Sequence, residues 1–163
     1  MSDHLSPDYE LCNGSVLDRA LLVKFIQLTY QELFLDQEDF SHLGETVERY
    51  FSKETPLWWV KSSAGRRGNE QLVYPSQVGC LWLGNAVDQV RGDRVAHIFL
   101  LYVTPEHRRR GIGSALMRHA EGWAKARGDR QIGLQVFQTN QPALKLYQHL
   151  GYQTQSLWMV KEF

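Results

Sequence analysis

The stretch Leu101-Tyr102-Val103-Thr104-Pro105-Glu106-His107-Arg108-Arg109-Arg110-Gly111-Ile112-Gly113-Ser114 decides the reading of this chain. Ahead of it, Val95 to Val103 is apolar on both faces, as expected of a central strand, and Thr104-Pro105 closes it. Behind it, Gly111 to Arg127 reads as a helix with Ile112, Leu116, Ala120, Trp123 and Ala124 on one face, ended by Gly128. Glycines at a strand-to-helix turn let the backbone approach a ligand closely and turn its N–H groups inward. The helix adds unpaired N–H groups and the positive end of its dipole. Together they predict an anion site suited to phosphate or pyrophosphate. Charge agrees: residues 105–130 hold seven Lys or Arg and three acids, in a chain whose formal net charge is zero. The loop is not a GxxxxGK[ST] phosphate loop. It is not a dinucleotide GxGxxG turn either, because Leu116 stands at the third glycine position.

On the C-terminal side, Gln131 to Phe137 reads as a strand. Asn140 caps a helix carrying Leu144, Tyr147 and Leu150, with Gly151 at its C′ position, and a last strand is expected from about Tyr152 to Phe163. Towards the N-terminus, a short strand is expected around Tyr9 to Cys12. Asp18 then caps a helix with Leu21, Leu22, Phe25, Ile26 and Leu33 inward. A second helix is expected from about Asp39 to Lys53, stopped by Thr55-Pro56. Leu57-Trp58-Trp59-Val60 reads as a strand whose adjacent tryptophans face opposite sides. Residues 62–76 read as a long polar connection, and Gln77 to Leu83 as a strand ended by Gly84-Asn85. Asp88 to Asp93 is a turn, and Cys80 reads as a small buried hydrophobe. This order predicts an α+β layered domain around one mainly antiparallel mixed sheet of six to seven strands, with about four helices and a βαβ step.

The 163 residues are 43% hydrophobic and 22% charged, which suits a single domain over 1–163. Balanced charge argues against coating nucleic acid or anionic lipid, and no apolar run approaches the roughly 20 residues of a membrane helix. Two distant cysteines and a polar Met1-Ser2-Asp3-His4-Leu5-Ser6 start lead to the expectation of a cytoplasmic protein without a disulfide scaffold or zinc ribbon. Residues 29–48 carry six acids and no Lys or Arg.

The run Leu101 to Pro105 followed by Arg108-x-x-Gly111-x-Gly113 resembles motif A, Q/R-x-x-G-x-G/A, of the GNAT acyl-CoA N-acyltransferases. Further on, Asn140-x-x-Ala143-x-x-Leu146-Tyr147-x-x-x-Gly151-Tyr152 resembles that family's motif B. The resemblance covers Val95 onward; before that it rests on element order. It implies a GNAT fold that binds acetyl-CoA and transfers acetyl to a primary amine of a small molecule, peptide or protein by direct attack, without metal. Leu101, Tyr102 and Val103 correspond to the splayed strand that pairs with the pantetheine arm, and the N–H of Val103 to the donor that stabilises the oxyanion. The pyrophosphate would lie on Arg109, Arg110, Gly111, Ile112, Gly113 and Ser114, with Arg108 also facing phosphate. Asn140 corresponds to a side chain that hydrogen-bonds pantetheine, and Tyr147 to the phenol that protonates the departing thiolate.

This sequence departs from its relatives at the base. Gln135 stands where ribosomal-protein N-terminal acetyltransferases, which it resembles in motif B, place a glutamate. His97 aligns with the glutamate of histone-type relatives. The base is therefore His97 or an ordered water that Gln135 could orient. The missing glutamates also leave room for a CoA-binding sensor that has lost turnover. In the family's fold the link between the first two helices borders the acceptor groove, so Glu32, Asp36, Glu38 or Asp39 is a candidate to attract a cationic amine. Few residues follow Gly151, which predicts a shortened C-terminal hairpin and a groove left open or closed by a partner subunit. Dimers are frequent among relatives.

Overall fold

The computed structural model describes residues 5–63 and 77–163, so most of the polar connection expected over 62–76 lies outside the described residues. Strand β1 (Tyr9–Asn13) leads through a short 3-10 turn (Val16–Asp18) into α1 (Arg19–Leu33) and α2 (His42–Tyr50). Three strands follow, β2 (Leu57–Ser62), β3 (Gln77–Val87) and β4 (Arg94–Val103), and then α3 (Ile112–Arg127), β5 (Ile132–Leu134) and α4 (Gln141–His149). The sheet runs β1-β2-β3-β4-β5, antiparallel except for the parallel β4–β5 pair that α3 connects. Among the described residues there are thus five strands, not six to seven, around the expected βαβ step. No helix among them is long and apolar enough to cross a membrane.

The sheet separates two apolar layers. On one face α3 and α4 bring Ile112, Leu116, Met117, Ala120 and Tyr147 onto Trp58, Val60, Leu81, Ala96 and Ile98. On the other, α1 and α2 bring Leu22, Phe25, Leu43 and Val47 onto Trp59, Cys80, Trp82, Leu100 and Tyr102. Trp58 and Trp59 do face opposite sides, both buried, and Cys80 is fully buried. Strand periodicity explains the sorting except at one point in β4. Leu83 pairs with Ile98 but Trp82 pairs with Leu100, so Phe99 is an extra residue. The bulge switches faces: Ala96 and Ile98 join the α3 layer, Leu100 and Tyr102 the α1 layer, and Leu101 and Val103 return to α3.

Several local expectations change. Asp18 does not cap α1; its carboxylate accepts the Ser15 N–H at 2.7 Å, and Ser15 caps the preceding turn in return. Gly84-Asn85 does not end β3, which continues to Val87. Gly84 is needed inside the strand because a Cβ there would lie 1.9 Å from the Phe99 ring. The strand expected over Gln131–Phe137 shrinks to Ile132–Leu134 because β4 pairs with it only there. The strand expected from Tyr152 to Phe163 is absent: that segment pairs with no strand of the sheet and is exposed from Gln153 onward.

Leu116 carries the clearest energetic test, being fully buried between α3 and the sheet. Leu116→Ala should destabilise the fold by about 2–5 kcal/mol, read as a lower urea midpoint at unchanged slope.

Candidate active site

Strands β4 and β5 stay paired only at Ala96–Ile132, His97–Gly133 and Ile98–Leu134. Beyond Ile98 they part, while β4 continues against β3 to Val103. Thr104 N–H donates to Val78 O at 2.8 Å. Because successive N–H groups of a strand point to opposite edges, Leu101 and Val103 turn theirs away from β3, towards the side β5 has left. A strip of central-strand backbone thus faces a cleft instead of a neighbour.

The loop after β4 lies at the open end of that cleft. Gly79, opposite Val103, has Ile112 Cγ2 and Val103 Cγ2 both 3.4 Å from where its Cβ would be, which places the start of α3 beside the end of β4. Arg109 has φ 63° and Gly111 φ 79°, so two left-handed residues flank Arg110. The first helical bond runs from Ala115 N to Gly111 O at 3.0 Å. The N–H groups of Ile112, Gly113 and Ser114 precede it and have no helical acceptor. This is a backbone concavity fit for an anion. A thioester carrier with a pyrophosphate on an amide-bearing arm, as in acetyl-CoA, matches a site offering a strip of strand amides and then this loop.

Two of the three arginine side chains bind the protein's own groups. Arg108 donates through Nε to Val103 O at 2.8 Å and through its terminal nitrogen to both oxygens of Glu32, at 2.9 and 2.7 Å. Tyr102 O–H also donates to Glu32, at 2.7 Å. The Glu32 carboxylate therefore fastens α1 to the end of β4. Arg110 donates to the Tyr9 hydroxyl at 2.9 Å, and that hydroxyl lies 2.8 Å from His107 Nδ1, which ties the loop to β1. Arg109 alone of the three is exposed without a described partner. These fasteners were invisible to motif reading because their partners lie 70 to 101 residues apart in sequence. Glu32 is thus committed, and Asp36, Glu38 and Asp39 remain as exposed acids in the α1–α2 link.

Tyr147 is buried on α4 next to Leu146, whose Cδ2 is 3.3 Å from a Cβ built on Gly113. α4 therefore packs directly on the glycine loop. Burial pushes the Tyr147 phenol up to about 12, and its hydroxyl bonds no described residue. Asn140 caps α4 by accepting the Ala143 N–H at 3.4 Å, which uses its carbonyl oxygen and leaves its amide donor. His97 sits at the last paired rungs, where the strands begin to part, between Gly84 on β3 and Gly133 on β5. Its ring approaches Phe99 with centroids 5.5 Å apart, and burial holds the imidazole below its usual 6.5. Gln135 is exposed just past β5. Also on this rim, and not foreseen, Phe34 at the end of α1 packs edge-on against Phe137 at 5.0 Å.

The family model described as the acetyltransferase (GNAT) family matches residues 22–152. An uncharacterized N-acetyltransferase of Methanocaldococcus jannaschii is 36% identical over 161 residues, spanning 90% of this chain and 69% of that one. The [ribosomal protein bS18]-alanine N-acetyltransferase of Escherichia coli is 30% identical over 95 residues, 58% of this chain and 64% of its own. Among solved structures, the ribosomal-protein-alanine N-acetyltransferase of Brucella melitensis superposes with TM-score 0.67 at 17% identity, over 98% of this chain and 100% of its own. That last likeness shows the fold.

Two outcomes check the site's electrostatics. His97 should titrate with a midpoint below 6.5 when its ring carbon is followed by NMR. A histidine that folding keeps neutral adds stability above its unfolded value and loses it as pH falls below that value, so His97→Gln should flatten part of the acid loss of stability. The Glu32–Arg108 pair is about two-fifths exposed on both sides (39% and 41%). Glu32→Gln should therefore cost no more than about 1 kcal/mol in urea unfolding.

Proposed function

This chain belongs to the GNAT acetyltransferase family and is an N-acetyltransferase, and from that premise we propose that it moves an acetyl group from acetyl-CoA to a primary amine by direct attack on the thioester. One observation carries the proposal: the parting of β4 from β5 beside the glycine loop, with Leu146 packed on that loop and Tyr147 buried in the same layer. When bound, acetyl-CoA supplies the activated acyl group. The chain supplies the surroundings. Loop N–H groups from Arg109 to Ser114 hold the pyrophosphate. The N–H groups of Leu101 and Val103 pair with the arm and stabilise charge building on the carbonyl oxygen. The Asn140 amide is placed to donate to the arm. Tyr147, protonated at neutral pH, gives its proton to the departing sulfur, a role typically worth about 10²–10⁴-fold. His97, neutral at the same pH, takes the proton from the amine directly or through a water that Gln135 orients.

The acceptor we propose is cationic, a small polyamine or a peptide amine. Support comes from Asp36, Glu38 and Asp39 on the link between α1 and α2, next to the Phe34–Phe137 contact at the rim. An N-acetyltransferase relative acts on the alanine of a ribosomal protein, which keeps peptide amines in the class.

The cofactor is tested first by thermal shift. Acetyl-CoA or CoA at about 100 times its dissociation constant should add roughly 2.7 kcal/mol to the folded state, and ATP should not. Failure of both CoA species at millimolar concentration would remove the ground for this reading. Release of CoA thiol with an amine pool then separates an enzyme from a CoA-binding sensor. Tyr147→Phe should lower kcat roughly 10²-fold or more at unchanged CoA affinity. Neutralising Asp36, Glu38 and Asp39 together should raise KM for cationic amines and spare neutral ones; equal effects on both would dismiss the charge argument.

A further inference from the structure

An exposed aromatic pair beside His97 is left unused by the chemistry above. Ala96 and Ile98 join the α3 layer, so His97 between them turns to the α1 side. Gly84 pairs with His97 and, two residues on from Trp82, faces the same way. The Phe99 ring lies over Gly84, with Cε2 1.9 Å from where a Cβ there would stand. It thereby reaches back along β4 to the imidazole, with centroids 5.5 Å apart. Buried Trp82 supports the ring from 4.9 Å, and Tyr50 at the end of α2 flanks it at 6.0 Å. Phe99 is nevertheless 38% exposed and Tyr50 49%. Apolar side chains scattered singly over a surface need no explanation. Here two neighbouring rings are exposed together, on a buried indole and against a half-buried histidine. Position 84 also forgoes a side chain to make room for the ring, although glycine weakens a strand interior.

We propose that Phe99 and Tyr50 seat the acceptor's substituent, and that the acceptor is a primary amine carrying an aromatic or branched apolar group within a few bonds of its nitrogen. The inference rests on the acetyl-transfer reading and on His97 as the group that meets the amine. A base works within about 3 Å of the nitrogen it deprotonates. The Phe99 ring is 5.5 Å from the imidazole, so whatever the nitrogen carries next lies against that ring. A neutral polar group there would lose water without gaining a partner. An apolar group removes its own surface and the ring's from water together, and an aromatic one adds ring-to-ring attraction. A cation over the rings is the competitor. The acids suited to a second cation, Asp36, Glu38 and Asp39, precede α2, whose nine residues put them about 13 Å from Tyr50. Glu48 and Arg49, next to Tyr50 in sequence, cancel in charge. The apolar group therefore sits beside the amine, and any second charge farther off at the link. An arylalkylamine and a peptide with a bulky apolar first residue share this chemistry; a linear diamine does not.

Initial rates of CoA-thiol release at saturating acetyl-CoA are compared for ethylamine, isoamylamine, phenethylamine and putrescine, and for tripeptide amides beginning with phenylalanine or glycine. From ethylamine to phenethylamine, and from the glycyl to the phenylalanyl peptide, kcat/KM should rise ~10-fold or more. The faster of the phenethylamine and phenylalanyl arms names the source. Phe99→Ala should bring both ratios near one, Phe99→Tyr should keep them, and Tyr50→Ala should lower them in part. A ratio is blind to general loss of activity, and the Tyr50 variant, at an exposed helix end, still tests the seat if Phe99→Ala does not fold. A second readout needs no turnover. With CoA present, the ¹⁹F line of 4-fluorophenethylamine should broaden with the unaltered chain and stay sharp with Phe99→Ala. Putrescine outrunning phenethylamine, a series indifferent to the substituent, or ratios unmoved by Phe99→Ala would each overturn the proposal. Broadening of the fluorine line without CoA release from any amine would support the seat and count against the transfer reading alone.

Discussion

A central strand cannot leave its backbone polar groups unpaired away from water without a cost of about 1–3 kcal/mol per group. In this molecule β4 keeps both neighbours for three rungs and then loses one. The Val103 carbonyl takes Arg108 Nε, but the N–H groups of Leu101 and Val103 that face the vacated side need acceptors, from water or from a ligand with amides of its own. The bulge at Phe99 falls where the parting begins and re-aims the strand, so that Leu101 and Val103 present their side chains to the α3 layer. Glycine at position 84 makes that bulge fit, since the Phe99 ring occupies the space a side chain would take. Strand, bulge and glycine are one device for holding a sheet open at a chosen place.

Given an open strand, the next requirement is a loop that stays put. The proposed function gives the anion to backbone amides, which need fixed geometry, and two of the three arginines tie down the loop's flanks. Arg108 grips α1 through Glu32, and Arg110 grips β1 through Tyr9. Each bond crosses the molecule, so the ends of the loop are referenced to two separate elements. Arg109 adopts a left-handed conformation that costs a non-glycine residue about 1 kcal/mol or more, a strain the flanking anchors sustain.

What was legible in the sequence was local. The cap at Asn140, the left-handed glycines at 128 and 151, the opposed tryptophans and the order of strand, loop and helix follow from spacing within a few residues. What was hidden depends on distant partners. Arg108 looked like a phosphate ligand because its neighbours are basic and its true partner, Glu32, is 76 residues away. Gly84 looked like a strand end because glycine usually marks one, whereas here an aromatic ring from β4 fills its place. The C-terminal run has the composition of a strand, but a strand also needs a paired edge, which composition alone does not supply.

The proposed chemistry asks for a phenol that keeps its proton and an imidazole that lacks one at the same pH. The two groups sit on opposite faces of the sheet, Tyr147 in the α3 layer and His97 beside Phe99 on the α1 side, yet one physical cause serves both. Burial disfavours whichever form is charged, so it raises a phenol and lowers an imidazole. It is the leading cause for both Tyr147 and His97. Each layer's packing therefore sets its own group, and water admitted to one face would relax that group alone towards its ordinary value. In this reading the packing of α4 on the glycine loop and the glycines flanking His97 position the two titrating groups, because they set how much solvent each group meets.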